Sequence, residues 1–420
     1  MIYLDPAATS LHRPGEVGEA VLYAMEHFGN SSRGSHEAAL AGARCVYEAR
    51  LMLSELFHAE GPEQIAFTMN ATESLNIAIK GILGKEDRAV TTVLEHNSVL
   101  RPLYELNREG MELSIVGCDD KGRILYGELE QELKKGAKAL VVTQVSNLTG
   151  NRTDLERIGR MCRENGALLV VDAAQGAGHF SIDMERMQID VLCFTGHKCL
   201  LGPQGTGGLA VRKGVAIQPL LSGGSGIKTF QKEQPAEMPE RLEAGTLNAH
   251  GIAGLLAGIR YLKREGMEKL ARQSASLCQN FYQRVKEIPG IVFYGDMEAE
   301  RAPILSLNVK GWDSARLADM LSYEYGICVR AGGHCAPLLH EALGTKEVGA
   351  VRFSFSHFNT IEEVGKAADA LKELANVDFQ IHCDYTVNEK KQLEETENDT
   401  RSRSHQREIH RRIPASAPEA

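Results

Sequence analysis

The sequence predicts an α/β protein with a large domain, a mostly parallel sheet covered by helices, followed by a smaller C-terminal α/β domain. Three observations predict it. Between residues 64 and 211, short Val/Ile/Leu-rich runs alternate with amphipathic stretches of helical period, the pattern of strands joined by crossover helices. Beyond residue 245 the pattern changes to long helical periodicity with isolated strands. With 6% aromatics and 41 glycines scattered among Val, Leu and Ala runs, the composition suits a sheet wrapped by helices better than an all-β protein.

In chain order, the expected strands of the large domain are Gln64 to Thr68, Ala89 to Leu94, Leu113 to Val116, Ala139 to Thr143, Leu168 to Asp172, Asp190 to Thr195 and Gly207 to Val211. Glu73 to Leu83, Ser98 to Arg108, Tyr126 to Lys134 and Thr153 to Glu164 are long enough to be the crossover helices. Ile252 to Lys286 reads as a long helix broken at Gly266. Ile304 to Val309, Gly326 to Arg330 and Val351 to Phe355 read as strands around a further helix. A closing helix, Thr360 to Leu374, opens on a Thr360 cap with Glu362 and Glu363 in its first turn. The expected division is an N-terminal segment 1–14, a large domain 15–258, a small domain 259–377 and a polar, flexible tail 378–420.

Charge and hydropathy exclude several function classes. A formal net charge of −9 gives no overall attraction for phosphate backbones, so nucleic acid is not the expected partner. No apolar stretch approaches the roughly 20 residues that span a bilayer, and the start Met1-Ile2-Tyr3-Leu4-Asp5-Pro6 lacks a secretion signal, so no membrane contact and a cytoplasmic location are expected. Nine unevenly spaced cysteines argue for reduced thiols rather than a disulfide framework.

In a sheet of this kind ligands bind beyond the carboxyl ends of the strands, so the residues after each run matter most. Lys198 ends one run, beside His197 and before a glycine-rich turn. A lysine amine drawn out of bulk water loses preference for its charged form and becomes a nucleophile toward carbonyls; read alone, a surface lysine is by far the commoner reading, and the context shifts the odds. Asp172 ends the buried run Leu168 to Asp172, where a carboxylate is costly unless it faces a cation such as a pyridinium N–H; the bland reading is a capping or salt-bridged aspartate. Gln175, three residues on, is able to donate to a ring phenolate, or is a polar loop residue. Asn70-Ala71-Thr72-Glu73 opens a helix and offers N–H donors and the Thr72 hydroxyl to a phosphate, with Thr195 and His197 as further donors, although Thr72 is also explained as an ordinary N-cap. His96 is placed to stack on a flat ring, or is structural. An amine, a ring-nitrogen acid, a phosphate cradle and a stacking imidazole at successive strand ends together suit pyridoxal 5′-phosphate.

Leu4-Asp5-Pro-Ala-Ala-Thr9, Asn70-Ala-Thr-Glu73, Glu95-His96-Asn-Ser98, Val145-Ser-Asn-Leu-Thr-Gly150, Val171-Asp172-Ala-Ala-Gln175, Thr195-Gly-His-Lys198, Glu243-Ala-Gly-Thr246 and Val351-Arg352 occur in one series. Their order and spacing resemble those of class V aminotransferase-fold enzymes that use pyridoxal phosphate, over residues 1 to 375. Within these, Arg330-Ala-Gly-Gly-His-Cys335-Ala is most similar to the cysteine desulfurases of the SUF-type subgroup, although Gly333 stands where a second histidine is usual, and Thr195 where serine is common.

The resemblance implies a fold-type I pyridoxal-phosphate enzyme that converts L-cysteine to L-alanine. Lys198 would hold the cofactor covalently, Asp172 would pair with the pyridine nitrogen and Gln175 would reach the phenolic oxygen. Thr72, Thr195 and His197 would bind the phosphate, His96 would stack on the ring as part of the catalytic set, and Asn147 would lie beside ring and substrate. Thr246 would reach the phosphate of a partner subunit, implying a homodimer with shared sites. Arg352 would bind the substrate carboxylate, which its planar fork suits.

Cys335, in a loop near Arg330 and His334, would be the nucleophile that takes sulfur as a persulfide, favoured by mobility and positive charge there. The sulfur would pass to an acceptor protein for iron–sulfur cluster assembly or thiolation. The rivals are a selenocysteine lyase or another lyase or transaminase of the same fold, and a non-catalytic sulfur carrier or scaffold. A zinc site of Cys193, His197 and Cys199 is discounted because His197 and Lys198 are otherwise engaged, and no metal is expected.

Overall fold

The computed structural model describes residues 1–31 and 34–376; the tail expected at 378–420 lies outside the described residues. A short strand β1 (Ile2–Tyr3) and helices α1 (Gly15–His27) and α2 (Glu37–Phe57) precede the large sheet. Its strands are β2 (Ile65–Thr68), β3 (Arg88–Thr92), β4 (Glu112–Val116), β5 (Ala139–Thr143), β6 (Leu168–Asp172), β7 (Val191–Thr195) and β8 (Gly207–Val211). Between them run α3 (Ala71–Ile82), α4 (Asn97–Arg108), α5 (Tyr126–Lys134) and α6 (Leu155–Glu164).

The order across the sheet is β2-β8-β7-β6-β5-β3-β4. Neighbours from β4 through β7 pair in parallel, whereas β8 runs antiparallel to both β7 and β2. The reversal has a local cause: residues 196–206, between β7 and β8, contain no helix, and a parallel return needs a crossover of a dozen or more residues. Both faces of the sheet are covered. Leu140 and Val142 of β5 pack into one apolar cluster, Ala139 and Val141 into the opposite one. This two-sided burial is why the strands read as continuous apolar runs rather than alternating ones.

Then come α7 (Ala249–Glu265), α8 (Met267–Val285), β9 (Ile291–Tyr294), β10 (Ile304–Val309), α9 (Ser314–Tyr325), β11 (Ile327–Cys328), β12 (Arg330–Gly332), α10 (Pro337–Ala342), β13 (Ala350–Ser354) and α11 (Ile361–Ala375). An antiparallel sheet has the order β12-β13-β10-β9, and β1 pairs in parallel with β11. The break expected at Gly266 is where α7 ends and α8 begins, with Gly266 at φ +87°. Thr360 accepts the Glu363 N–H at 3.2 Å while Glu363 accepts the Thr360 N–H at 3.1 Å, the reciprocal cap that starts α11.

The single strand expected over Gly326 to Arg330 is instead two short ones on either side of Val329, the first pairing with β1 and the second with β13. Helices α1 and α2 were not expected. Leu22, Tyr23 and Met25 on α1 and Tyr47 on α2 are exposed, so apolar residues lie on more than one face and blur the helical period. Among the described residues, no helix is long and apolar enough to cross a membrane.

Candidate active site

Strand register assembles the site. Thr143 and Asp172 are paired residues at the carboxyl ends of β5 and β6, and Thr195 ends β7 close by. Helices α3 and α4 start just beyond β2 and β3 and point their N-termini at the same edge. A cavity of about 290 Å³ lies there. It brings together nine of the expected residues: Thr72, His96, Asn147, Asp172, Gln175, Thr195, His197, Lys198 and Arg352. Cys335 and Thr246 are not part of its wall.

Lys198 and Asp172 face each other electrostatically in this cavity. Burial pushes the Lys198 amine down to about 8, opposed by the Asp172 carboxylate. Asp172 is buried, and burial raises its pKa even though its Oδ1 accepts the Ala174 N–H at 2.9 Å and Lys198 lowers it. A carboxylate so placed calls for a further cationic donor. Gln175, also buried, donates from Nε2 to Ala7 O at 3.0 Å, which leaves its second amide hydrogen for a ligand.

The start of α3 corrects one reading of Thr72. The N-cap is Asn70, whose side chain accepts the Glu73 N–H at 3.1 Å, while Glu73 accepts the Met69 N–H at 2.6 Å. Thr72 is thereby left to face the cavity, its hydroxyl 2.8 Å from that of Ser98. The Thr195 hydroxyl is buried with no hydrogen-bond partner among the described residues. His197 places Nδ1 3.0 Å from the Thr9 hydroxyl, and burial lowers its pKa to about 4. An orphaned hydroxyl, an exposed one and a helix N-terminus at one end, with a buried acid and a depressed lysine at the other, fit pyridoxal 5′-phosphate.

His96 is both structural and placed for a ring. It caps α4, Nδ1 accepting the Ser98 N–H at 3.0 Å, and burial drops its pKa to about 4. It is therefore neutral at pH 7 with its proton on Nε2. Asn147 donates to His334 O at 2.7 Å and its carbonyl accepts from Arg352 Nη1 at 3.0 Å. Arg352 is 2% exposed and also donates from Nη2 to Asp5 Oδ1 at 2.8 Å.

Cys335 is exposed at the rim, and the loop that carries it is tied down. The Asn97 N–H donates to Cys335 O at 2.7 Å, and Ala336 N–H to Gly333 O at 2.9 Å. His334 and Cys335 both have positive φ, 48° and 56°, a conformation that the surrounding bonds impose on non-glycine residues. The loop backbone thus lies against the start of α4, next to His96. His334 differs from expectation: burial pushes its pKa to about 3, so it is neutral, while Arg330 lines the cavity wall. Cys193 packs in the core beneath the sheet, and among the described residues no group of three or more His, Cys, Asp and Glu side chains is placed to hold a metal.

Two residues near the site escaped sequence reasoning. Glu95 is wholly buried, its Oε1 accepting from the Thr92 hydroxyl at 2.7 Å, and burial raises its pKa to about 8. Its signal, an acid directly after an apolar run, was present in the Leu94-Glu95-His96 motif. Asp5 had only its place in the first motif to mark it, because its partner Arg352 is 347 residues away.

Comparison with known proteins agrees with this architecture. A family model described as Aminotransferase class-V matches residues 2–366. A "Probable cysteine desulfurase" of Methanothermobacter thermautotrophicus is 34% identical over 382 residues, 90% of this chain and 95% of the relative. A protein of the same name from Pyrococcus abyssi is 37% identical over 384 residues, 89% of this chain and 94% of the relative. Among solved structures, the apo form of the cysteine desulfurase from Thermococcus onnurineus NA1 superposes with a TM-score of 0.84 at 35% identity, covering 89% of this chain and 94% of that one. With the strand-end site and the family match in agreement over nearly the whole described chain, the protein belongs to the class-V aminotransferase family.

Proposed function

We propose that this protein is a cysteine desulfurase that converts L-cysteine to L-alanine and carries the sulfur away as a persulfide on Cys335. The observation that carries the reading is a lysine amine lowered to about 8, facing a buried aspartate in a cavity beside a tethered, exposed cysteine. Pyridoxal 5′-phosphate, when bound, supplies an electron sink for the charge that develops at the substrate α-carbon.

The chain's own residues divide the remaining work. Lys198 would hold the cofactor through its aldehyde, and its amine, lowered to about 8, is the base for the substrate α-proton; a pKa near neutrality suits both duties. Asp172 holds the ring-nitrogen proton and Gln175 donates to the phenolic oxygen. Thr72, Thr195, His197 and the N-terminus of α3 bind the phosphate. His96 covers the ring with its Nε2 proton available for transfer, and Asn147 borders ring and substrate. Arg352 binds the substrate carboxylate. The Cys335 thiolate attacks the substrate sulfur: an S–S bond forms, the C–S bond breaks with its electron pair left on the substrate carbon, and protonation of that carbon yields alanine.

Thr246 is exposed outside its own cavity, which supports its reaching the phosphate of a second copy in a homodimer. The persulfide on an exposed residue suits delivery to an acceptor protein, for iron–sulfur cluster assembly or thiolation in the cytoplasm. The test is to incubate wild type and Cys335→Ser with L-cysteine and assay alanine and sulfide together. The expected result is at least a hundredfold drop in both for the variant, roughly what loss of a nucleophile brings. Alanine formation undiminished in the variant would remove Cys335 from the mechanism and favour a lyase of the selenocysteine type. Absence of a borohydride-reducible chromophore at Lys198 would favour a non-catalytic carrier.

A further inference from the structure

The motif Leu4-Asp5-Pro-Ala-Ala-Thr9 has no part in the mechanism above, yet it supplies the anionic partner of the buried Arg352 guanidinium. Arg352 Nη2 donates to Asp5 Oδ1 at 2.8 Å and Nη1 to Asn147 O at 3.0 Å. Each terminal nitrogen carries two hydrogens, so one on each remains to be given. Two parallel N–H groups are what bidentate carboxylate recognition requires. An unpaired guanidinium at this depth would be costly, and Asp5 offsets that cost through a single oxygen instead of filling the whole fork.

Asp5 cannot drift from this place. The Leu4 N–H donates to Cys328 O at 2.9 Å, Leu4 O accepts the Ser354 N–H at 2.8 Å, and Asp5 O accepts the Tyr3 hydroxyl at 3.1 Å. Pro6 follows, with its φ fixed by its ring. The strap then continues to the lysine side of the cavity. Ala7 O accepts from Gln175 at 3.0 Å, the Ser10 N–H donates to His197 O at 2.9 Å, and the Ser10 hydroxyl donates to Lys198 O at 2.9 Å. One segment, turning at residues 6–8, therefore ties β13, which carries Arg352, to the turn that carries Lys198.

We propose that Asp5 is a positioning residue that holds the Arg352 fork toward the substrate α-carboxylate and thereby sets the preference for α-amino acids over simple amines. The proposal rests on the reading of Arg352 as the carboxylate site. The test titrates the holoenzyme with L-alanine and with ethylamine, the same amine without its carboxylate, following the cofactor absorbance. Asp5→Ala is expected to weaken L-alanine about tenfold, the loss of one charge-assisted hydrogen bond, while leaving ethylamine unchanged. The KM for L-cysteine rises with kcat little changed, and Asp5→Asn, which keeps an acceptor oxygen, recovers part of the loss.

An equal loss for both ligands marks a merely structural role and overturns the proposal. So does a tighter L-alanine complex, which marks Asp5 as a competitor of the substrate. Arg352→Met is measured alongside. If that variant keeps the preference for L-alanine, the reading of Arg352 is what fails, and the two failures are told apart.

Discussion

Burial acts in opposite directions on the two groups that face each other in the cavity, lowering the amine of Lys198 and raising the carboxyl of Asp172. Glu95 shows the same effect, burial first and the neighbouring Asp172 carboxylate adding to it: its carboxyl sits at about 8 against an ordinary 4.5. Between those values the native protein keeps a proton that the unfolded chain releases, so stability is fully present below 4.5 and is lost as pH rises toward about 8. One proton gives a slope of up to about 1.4 kcal/mol per pH unit. Glu95→Gln removes this dependence, and its stability by urea unfolding should gain on wild type steadily from mildly acidic to mildly alkaline pH. Parallel curves for the two proteins would show that Glu95 is ionised in the native state. Sequence reasoning found Lys198 and Asp172 because each ends an apolar run; it missed the neutral state of His334, which depends on what covers the ring.

In the proposed function, phosphate binding rests on one element, the N-terminus of α3. Asn70 caps it, and Asn70→Ala should cost about 1 kcal/mol of stability. Gly207 of β8 passes beneath: a Cβ there would lie 2.7 Å from Asn70 Cα and 2.9 Å from Phe194 O, both backbone atoms with little freedom to yield. Gly207→Ala should therefore destabilise by about 1–3 kcal/mol and displace the helix start. Titration of cofactor-free protein should show weaker binding of pyridoxal 5′-phosphate with little change for pyridoxal, which lacks the phosphate. Equal weakening of both would mean that the start of α3 is not the phosphate cradle. At this scale the buried strands were legible because each is a short, continuous apolar run, whereas α1 and α2 were not, since their apolar residues are spread around the helix. The reversal of β8 was also invisible, because an apolar run carries no direction.

At the scale of the whole molecule, the proposed sharing of the site between two subunits turns on Thr246. Its segment is pinned on both sides. Glu243 accepts from Arg50 at 2.8 and 2.6 Å and from the Phe67 N–H at 2.6 Å, and Asn248 caps α7 and donates to Gly205 O at 3.0 Å. Between these anchors Thr246 is held exposed, away from its own cavity. In a shared-site dimer, mixing Lys198→Ala with Thr246→Val would produce hybrids in which one site carries both defects and the other neither. Mixed subunits should then regain up to about a quarter of wild-type activity, the share of intact sites when subunits pair at random. Activity no greater than the sum of the separate variants would place Thr246 within its own subunit or outside the site.

What the sequence determined by itself is the set of groups at the strand ends. Buried parallel strands must be apolar along their length, so a Lys, Asp or Thr at the end of such a run stands out, and the crossover topology brings all those ends to one edge. Tertiary structure alone decided how the groups are held: the pairing of Asp5 with Arg352 across 347 residues, the tethering of the Cys335 loop by Asn97, and the neutrality of His96 and His334. Those features depend on through-space contact and on exclusion of water, and neither leaves a periodic trace along the chain.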